Sequence, residues 1–288
     1  MIAVIGEASP RVEDRKFLTG AGKYLDDLEF PDVCHAVFIR SPHAHARILS
    51  LSAAIAKEMP GVLDIITADD VELSKLNALK PFVQENPNTG EAFSFVEQPL
   101  LARNVVRYQG EPIVLVVAET VAQALDASEV VEIEYSPLPH VVDGKEAASP
   151  DSIKLNSQLD ENIAVKWNTG NSQEIENVFN SADNVVKLTV QNQRIVTNPM
   201  EPRGIVAEWN ISTGRYTLYG SSQNIHVMRT CVADMLGVAE ALVRFIAPDV
   251  GGGFGSKNFC YTEYALIAWM SKQLRRPVKW IASRSEGF

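Results

Sequence analysis

Cysteine is scarce in this sequence, with three residues among 288. They lie far apart along the chain, at Cys34, Cys231 and Cys260. An odd number of cysteines at such spacing offers neither a disulfide framework nor the paired ligands of a zinc or iron–sulfur site. We therefore expect three reduced, buried thiols. Any iron–sulfur cluster that works with this chain would have to be carried by another polypeptide.

The sequence also lacks long apolar runs and a basic leader. No apolar stretch approaches the length that a bilayer requires. The first residues, MIAVIGE, contain no Lys or Arg, and the apolar run before the acidic Glu7 is too short for a signal peptide. The net charge is −10, and no cluster of Lys and Arg interrupts this acidity, so a nucleic acid is an unfavourable partner. We expect a cytoplasmic protein without a membrane span.

Two common glycine-loop motifs are absent as well. A phosphate-binding P-loop needs Ser or Thr after its lysine, but Asn258 follows Lys257. A dinucleotide fingerprint counted from Gly251 reaches Ser256 where its third glycine should be. The chain instead has four glycines within five positions, in the segment PDVGGGFGSK at residues 248–257. Such a loop allows a ligand to approach the backbone closely, and it predicts a cofactor site; a tight turn that only solves backbone geometry is the alternative.

The composition is that of a soluble globular protein, with 46% hydrophobic and 22% charged residues. Strand-like and helix-like segments alternate from about residue 19 to residue 137. Strands are predicted at 34–39, 62–66 and 113–118, the last one buried on both faces. Thr120, with Gln123 three residues later, predicts a capping box that opens a helix, and the period-two pattern of residues 131–135 predicts another strand. A stretch rich in Pro and polar residues follows, and this composition indicates a linker.

Beyond the linker, the patterns predict further helices and strands. Ser172 is expected to cap a short helix, and residues 185–190 are expected to begin a series of strands. A helix after Gln223 should end at Gly237. Residues 261–274 are apolar on most sides, which predicts a buried helix.

Several segments together resemble the molybdopterin-binding large subunit of the xanthine dehydrogenase and aldehyde oxidase family, a group that includes aerobic carbon monoxide dehydrogenases. The resemblance runs nearly from end to end, with its segments in one order. They are residues 15–24, 40–48 and 110–112, Met200 with Glu201, Ser222 with Gln223, and the glycine-rich loop.

The resemblance implies a mixed α/β (α+β) fold. An N-terminal arm at residues 1–18 would lead into an α/β hammerhead domain at 19–137. A linker at 138–165 would connect it to the first molybdopterin-binding domain at 166–288. The chain stops well before the end of the family's large subunit, so we expect this domain to be truncated and the chain to be a fragment.

In this family the cofactor's dithiolene holds the molybdenum, so no side chain is expected to bind the metal directly. By resemblance, the Gln223 amide contacts an oxygen ligand of molybdenum, although a glutamine that caps the next helix is the alternative. Gly252, Gly253, Phe254 and Gly255 match the loop that packs against the metal end of the pterin. Phe254 would supply an apolar wall and the Gly255 amide would face a metal ligand, unless the loop is merely a structural turn.

Two charged residues near these segments leave alternatives open. Glu201 is a candidate for the substrate funnel, or else the partner of Arg203 in a structural ion pair. Lys257 either neutralises charge on the cofactor or a carboxylate, or is an exposed lysine at the start of a helix. The family's general-base glutamate is expected beyond residue 288, so no catalytic residue is assigned within this chain.

The implied activity is oxidative hydroxylation of an aldehyde, an N-heterocycle or carbon monoxide, with water as the oxygen source. Molybdenum with molybdopterin, in the cytosine dinucleotide form, would be the cofactor. A [2Fe–2S] small subunit and an FAD-binding medium subunit would complete the electron path, in a dimer of heterotrimers. Asn258 departs from the purine-oxidising branch, which has an acidic residue there, and so disfavours xanthine. We expect the isolated 288-residue chain to be inactive; a non-catalytic remnant or assembly subunit is the alternative.

Overall fold

The computed structural model describes residues 6, 8–86, 89–93, 95–156, 159, 161–165, 167 and 169–287. Its strands are β1 (Cys34–Arg40), β2 (Ala46–Ser52), β3 (Val62–Ile66), β4 (Val105–Val106), β5 (Pro112–Ala118), β6 (Glu132–Pro137), β7 (Gly204–Asn210), β8 (Arg215–Gly220), β9 (Val243–Ile246) and β10 (Val278–Ile281). Its α-helices are α1 (Asp14–Leu18), α2 (Ala54–Lys57), α3 (Ala68–Leu73), α4 (Val121–Glu129), α5 (Gly144–Ala147), α6 (Ser172–Ser181), α7 (Ile225–Leu236) and α8 (Thr262–Leu274).

The strands form two sheets, so the predicted mixed α/β architecture is confirmed. One sheet has seven strands in the order β3-β5-β1-β10-β7-β8-β9, and the other has three in the order β4-β2-β6. The larger sheet is mostly antiparallel, with parallel pairs at β1–β10 and β8–β9. The β1–β10 pair joins an early strand to a strand near the other end of the chain, with Cys34 opposite Val278. The two predicted domains therefore share one continuous sheet.

The hydrophobic core lies on both faces of the larger sheet. Side chains of β5 contribute alternately to the two clusters that form it. Every residue of β5 is buried. Leu115 and Val117 pack in the cluster that contains α7 and α8, while Val114 and Val116 pack in the cluster that contains α4 and the smaller sheet. Successive side chains of a strand point to opposite faces, so a continuous apolar run is needed where both faces are covered.

Local patterns predicted several of these elements correctly. The Thr120 side chain accepts a hydrogen bond from the Gln123 amide at the start of α4. α7 ends at Gly237, whose φ of 65° is the left-handed conformation typical of a helix C-cap. α8 is buried over most of its length, including Tyr264 and Trp269. Among the described residues, none of the helices combines the length and apolar character needed to cross a membrane.

Two predictions beyond the linker were wrong. Residues 185–190 form no strand; the segment is exposed, and Val186 and Leu188 keep 91% and 84% of their surface accessible. β-branched residues favour a strand only where a neighbouring strand takes up their backbone hydrogen bonds, and the described residues provide none here.

The helix expected at Ser172 is present as α6, but its N-cap is Asn171, whose side chain accepts from the Glu174 amide. The predicted linker also contains the short helix α5, capped by Asp143.

Candidate functional site

The glycine-rich loop connects β9 to α8 and has an irregular backbone. Gly252 and Gly255 have φ values of 93° and 92°, which glycine adopts readily. Phe254 also has a positive φ, of 48°, which is unusual for a residue with a bulky side chain. The loop is thus held by surrounding contacts in a conformation that its own residues do not all prefer.

Glu201 provides the main contacts that hold the loop. Its Oε2 accepts hydrogen bonds from the Gly251 amide at 2.8 Å and from Lys257 Nζ at 2.9 Å, at the two ends of the loop. The Ser221 hydroxyl donates to the same oxygen. Its Oε1 accepts from the Leu25 amide at 3.1 Å. One carboxylate therefore links the loop to the end of β8 and to the segment before β1.

The ion pair between Glu201 and Lys257 is buried. The side chain of Lys257 is 0% exposed and that of Glu201 is 12% exposed. Burial alone would raise the pKa of Glu201, but hydrogen bonds from Lys257, Ser221, Gly251 and Leu25 outweigh it and hold that pKa below its ordinary value. Burial lowers the pKa of Lys257, and the attraction of Glu201 offsets this only in part. Each charge thus favours the charged form of the other group.

The lowered pKa of Glu201 predicts a pH dependence of stability. A carboxyl whose pKa is lower in the folded chain stabilises the fold fully above its unfolded pKa, and this contribution is lost as the pH falls through the folded value. We expect the free energy of unfolding, measured with urea, to decline below about pH 4.5. Glu201→Gln cannot titrate, so the stability difference between it and the parent chain should shrink in acid. An equal difference at neutral and acidic pH would contradict this.

Gln223 lies against the same loop. Its backbone amide donates to the Lys257 carbonyl at 2.9 Å, and its Oε1 accepts from the Gly255 amide at 3.0 Å. A Cβ on Gly253 would lie 2.4 Å from the Cδ of Gln223, so a larger residue there would displace the Gln223 side chain from the loop. The cap of α7 is Asn224, whose side chain accepts from the Val227 amide, so Gln223 does not cap that helix. Because its Oε1 is engaged, the NH₂ of its amide is the end that remains free.

The loop and Gln223 carry hydrogen-bond donors that have no acceptor among the described residues. Among the residues that the structure describes, nothing accepts a hydrogen bond from the amides of Gly252, Gly253 or Phe254, or from Nε2 of Gln223. The space beside Gly255 is open, since a Cβ there would meet no atom within 4 Å. Phe254 lies beside these donors with 72% of its surface accessible. The loop combines free donors with an apolar ring, which suits a group bearing oxygen acceptors and a flat surface.

The structure thus brings together Gln223 and the glycine-rich loop, with Glu201 behind them. It differs from expectation in two contacts. Glu201 pairs with Lys257, whereas the guanidinium of Arg203 lies 3.8 Å from the ring centre of Tyr261. The Gly255 amide, expected to face a metal ligand, donates to Gln223 instead. Lys257 is therefore buried and not free to reach a cofactor; it neutralises a carboxylate, which was one of the roles considered for it.

Sequence reasoning missed two residues that shape the site. Ser221 donates to Glu201, and its position between a strand and Gln223 was the available signal. Arg284 donates to the carbonyls of Pro199 and Met200, each at 2.6 Å, and so fixes the segment that leads into Glu201. Nothing in the local sequence around Arg284 indicated this contact. Across the described part of the chain, no cluster of three or more His, Cys, Asp or Glu residues could hold a metal ion.

Comparisons with known proteins match both parts of the chain. The model for "Aldehyde oxidase and xanthine dehydrogenase, a/b hammerhead domain" matches residues 19–139, and that for "Molybdopterin cofactor-binding domain" matches residues 155–288. The nicotine 6-hydroxylase large subunit of Paenarthrobacter nicotinovorans is 37% identical over 98% of this chain and 34% of the relative. The carbon monoxide dehydrogenase large chain of Afipia carboxidovorans is 34% identical over 96% of this chain and 34% of the relative.

Solved structures of similar proteins share the fold of this chain. The chain superposes on quinoline 2-oxidoreductase from Pseudomonas putida 86 with a TM-score of 0.85 and 36% identity, over 99% of this chain and 35% of that one. For the Cu,Mo-CO dehydrogenase the TM-score is 0.87 at 33% identity, over 98% and 36% of the two chains. The chain spans about a third of the length of these relatives. With a hammerhead domain followed by a molybdopterin cofactor-binding domain, it belongs to the xanthine dehydrogenase and aldehyde oxidase family.

Proposed function

We propose that this chain forms one side of the cofactor site in the large subunit of a molybdenum hydroxylase. The observation that carries this proposal is the set of free donors at Gln223 Nε2 and at the amides of Gly252, Gly253 and Phe254. Molybdopterin is flat and carries oxygen and phosphate acceptors, so the residues present fit such a group. When bound, the molybdenum centre supplies the two-electron oxidation, with water as the source of the inserted oxygen.

Each residue of the site has a separate role in this proposal. Gln223 donates a hydrogen bond from a neutral amide, which binds an oxygen without adding charge. Phe254 covers the cofactor and excludes water from it. Glu201 and Lys257 do not touch the cofactor; they hold the loop at both ends, so that its amides keep their direction. Glu201 thus acts as a positioning residue, and its expected role at the substrate funnel is not part of the proposal.

For the substrate we propose an aldehyde, an N-heterocycle or carbon monoxide. The support is that similar proteins include a nicotine 6-hydroxylase, a quinoline 2-oxidoreductase and carbon monoxide dehydrogenases. Asn258 beside Lys257 argues against a purine, because it offers an amide where the purine-oxidising branch has a carboxylate. We place the general base on a part of the subunit outside residues 1–288.

We further propose that the electrons leave through an iron–sulfur subunit and an FAD subunit, and that the cofactor is the cytosine dinucleotide form. A dimer of such heterotrimers in the cytoplasm is the proposed assembly. One relative is named as a subunit of the 6-hydroxypseudooxynicotine dehydrogenase complex, which supports a multi-subunit arrangement. The three cysteines of this chain are too few for a [2Fe–2S] cluster with four cysteine ligands.

The test is to purify the chain, with its partners, from the organism that makes it. Molybdenum, iron, flavin and the pterin nucleotide would be measured in the native assembly and in the chain separated from it. The proposal expects molybdenum and cytosine-containing pterin in the assembly, iron and flavin on other polypeptides, and loss of molybdenum from the separated chain. An assembly without molybdenum would support the alternative of a non-catalytic subunit and overturn the proposal.

Gln223 allows the donor role to be tested separately from loop structure. Gln223→Ala removes the free NH₂ and the acceptor for Gly255, whereas Gln223→Glu keeps an acceptor oxygen but loses the donor. We expect both variants to raise the rate at which the native assembly loses molybdenum by about tenfold or more, since a lost hydrogen bond to a charged group costs about 1.5–3 kcal/mol. The exposed Gln193 provides the control, and Gln193→Ala should change nothing. Normal retention in Gln223→Glu would show that the donor is not used.

A further inference from the structure

A groove beside the smaller sheet shares no residue with the candidate site. It has a volume of about 430 Å³ and is bounded by β2, by β4 and by the segment after α5. Four of the side chains that line it carry basic nitrogen atoms: His45, Arg47, Arg107 and Lys154. None of the described residues that line it is Asp or Glu. In a chain whose net charge is −10, this groove is a local exception to the acidic surface.

Strand pairing brings the basic groups of the groove together. Arg47 on β2 stands opposite Val105 of β4 in antiparallel register. Arg107 comes two positions after Val105, and residues two positions apart along an extended chain point to the same side. Lys154 reaches the groove from the segment that follows α5. Three separate parts of the sequence thus place a positive charge at one opening.

The cations of the groove have no carboxylate partners among the described residues. Arg47, Arg107 and Lys154 form no ion pair with any Asp or Glu in that part of the chain. Arg103, close by in sequence but outside the groove, forms ion pairs with two carboxylates. The charges in the groove are therefore left available to an external anion.

The guanidinium of Arg107 shows the same lack of acceptors. Its Nε is buried and finds no hydrogen-bond partner in the described structure. Its Nη1 reaches only the carbonyl of Val105, at 3.4 Å. Glu111 lies nearby, but its carboxylate accepts from the backbone amide of Arg107, at 2.6 Å, and not from the guanidinium. An anion in the groove would give this guanidinium the acceptors that the described residues do not supply.

We propose that the groove binds a soluble small molecule that carries a phosphate or diphosphate group. Arginine suits this ligand, because its planar guanidinium can donate to two oxygens of one phosphate, and lysine adds a further charge. Leu49, Leu138 and Leu155 also line the groove and offer apolar surface to the rest of the molecule. The volume lies within the range of small-molecule sites, about 300–1,000 Å³. This inference does not depend on the proposed function, since the two sites have no residue in common.

Isothermal titration calorimetry of the purified, folded chain with ADP, inorganic pyrophosphate and adenosine tests the proposal. ADP and pyrophosphate should bind, whereas adenosine, which lacks a phosphate, should not. ADP should bind more tightly than pyrophosphate, because its nucleoside can also contact the leucines. Added salt should weaken the binding of ADP, because it screens the attraction between the phosphates and the cations.

Matched variants locate the binding. Arg47→Gln and Lys154→Gln each remove one charge from an exposed side chain, so the fold should tolerate both changes. Each should raise the Kd for ADP by about tenfold. Arg103→Gln removes the same charge outside the groove and should leave the Kd unchanged. Equal effects of Arg47→Gln and Arg103→Gln, or adenosine that binds as tightly as ADP, would overturn the proposal. So would the absence of ADP binding, including a chain that adsorbs to phosphatidylglycerol vesicles instead.

Discussion

Lys257→Met should destabilise the folded chain by about 3 kcal/mol, because it leaves the buried carboxylate of Glu201 without its cation. Lys257 has no exposed side-chain surface, and its ammonium group lies 2.9 Å from Glu201. Methionine has a similar length and no charge, so the change removes the ion pair with little loss of packing. Urea denaturation at neutral pH measures the loss.

An exposed ion pair of similar length provides the control. Arg229 and Glu240 lie 2.7 Å apart with 39% and 45% of their side chains exposed. Arg229→Met should cost less than about 1 kcal/mol, since solvent screens such a pair. The double variant Glu201→Gln with Lys257→Met should be more stable than the sum of the single losses predicts, because no unpaired charge remains. Equal costs at Lys257 and Arg229 would show that Glu201 does not depend on its partner.

Gly251→Ala should destabilise the chain by about 2–4 kcal/mol through steric overlap. A Cβ at this position would lie 2.4 Å from the Cβ of Glu201 and 3.3 Å from its backbone nitrogen. These atoms belong to the backbone or lie next to it, so no side-chain rotation can relieve the clash. The two hydrogen bonds between Gly251 and Glu201, one donated by each backbone amide, would be strained together. Thermal and urea unfolding would measure the loss.

Two other glycines separate this clash from backbone strain. Gly255 has a φ of 92° and open space around it, so Gly255→Ala should cost only the conformational term, about 1–2 kcal/mol. Gly144 has neither a positive φ nor a neighbour within 4 Å, and it lies in α5, so Gly144→Ala should be neutral or slightly stabilising. The expected order of destabilisation is Gly251, then Gly255, then Gly144. If Gly255→Ala were as costly as Gly251→Ala, the contact with Glu201 would not explain the requirement for glycine.

The elements that were predicted correctly depend on short-range patterns. The run at β5 is apolar at every position because both faces of the strand are covered. Thr120 and Gly237 mark helix ends by hydrogen bonds and backbone angles that involve only neighbouring residues. The glycine-rich loop was recognised in the same way, since four glycines in five positions restrict what the backbone can do. The family and the mixed α/β fold followed from such local segments taken in order.

Apart from the cap of α6, which lies one residue earlier than expected, the wrong predictions and the missed contacts involve partners that are distant in sequence. Residues 185–190 have the composition of a strand, but β-structure requires a neighbouring strand, which the described residues do not provide there. The pairing of β1 with β10 joins the two ends of the chain in one sheet. Likewise, Glu201 could pair with Arg203, two residues away, or with Lys257, and the fold places Lys257 beside it.

The sequence by itself therefore determined the family, the secondary structure of the strongly patterned segments, and the identity of the loop and glutamine at the candidate site. Tertiary structure decided which donors of that site remain free and which carboxylate holds the loop. The physical reason is that propensities and caps act between neighbouring residues, whereas a buried ion pair forms only when packing brings distant segments within hydrogen-bond distance.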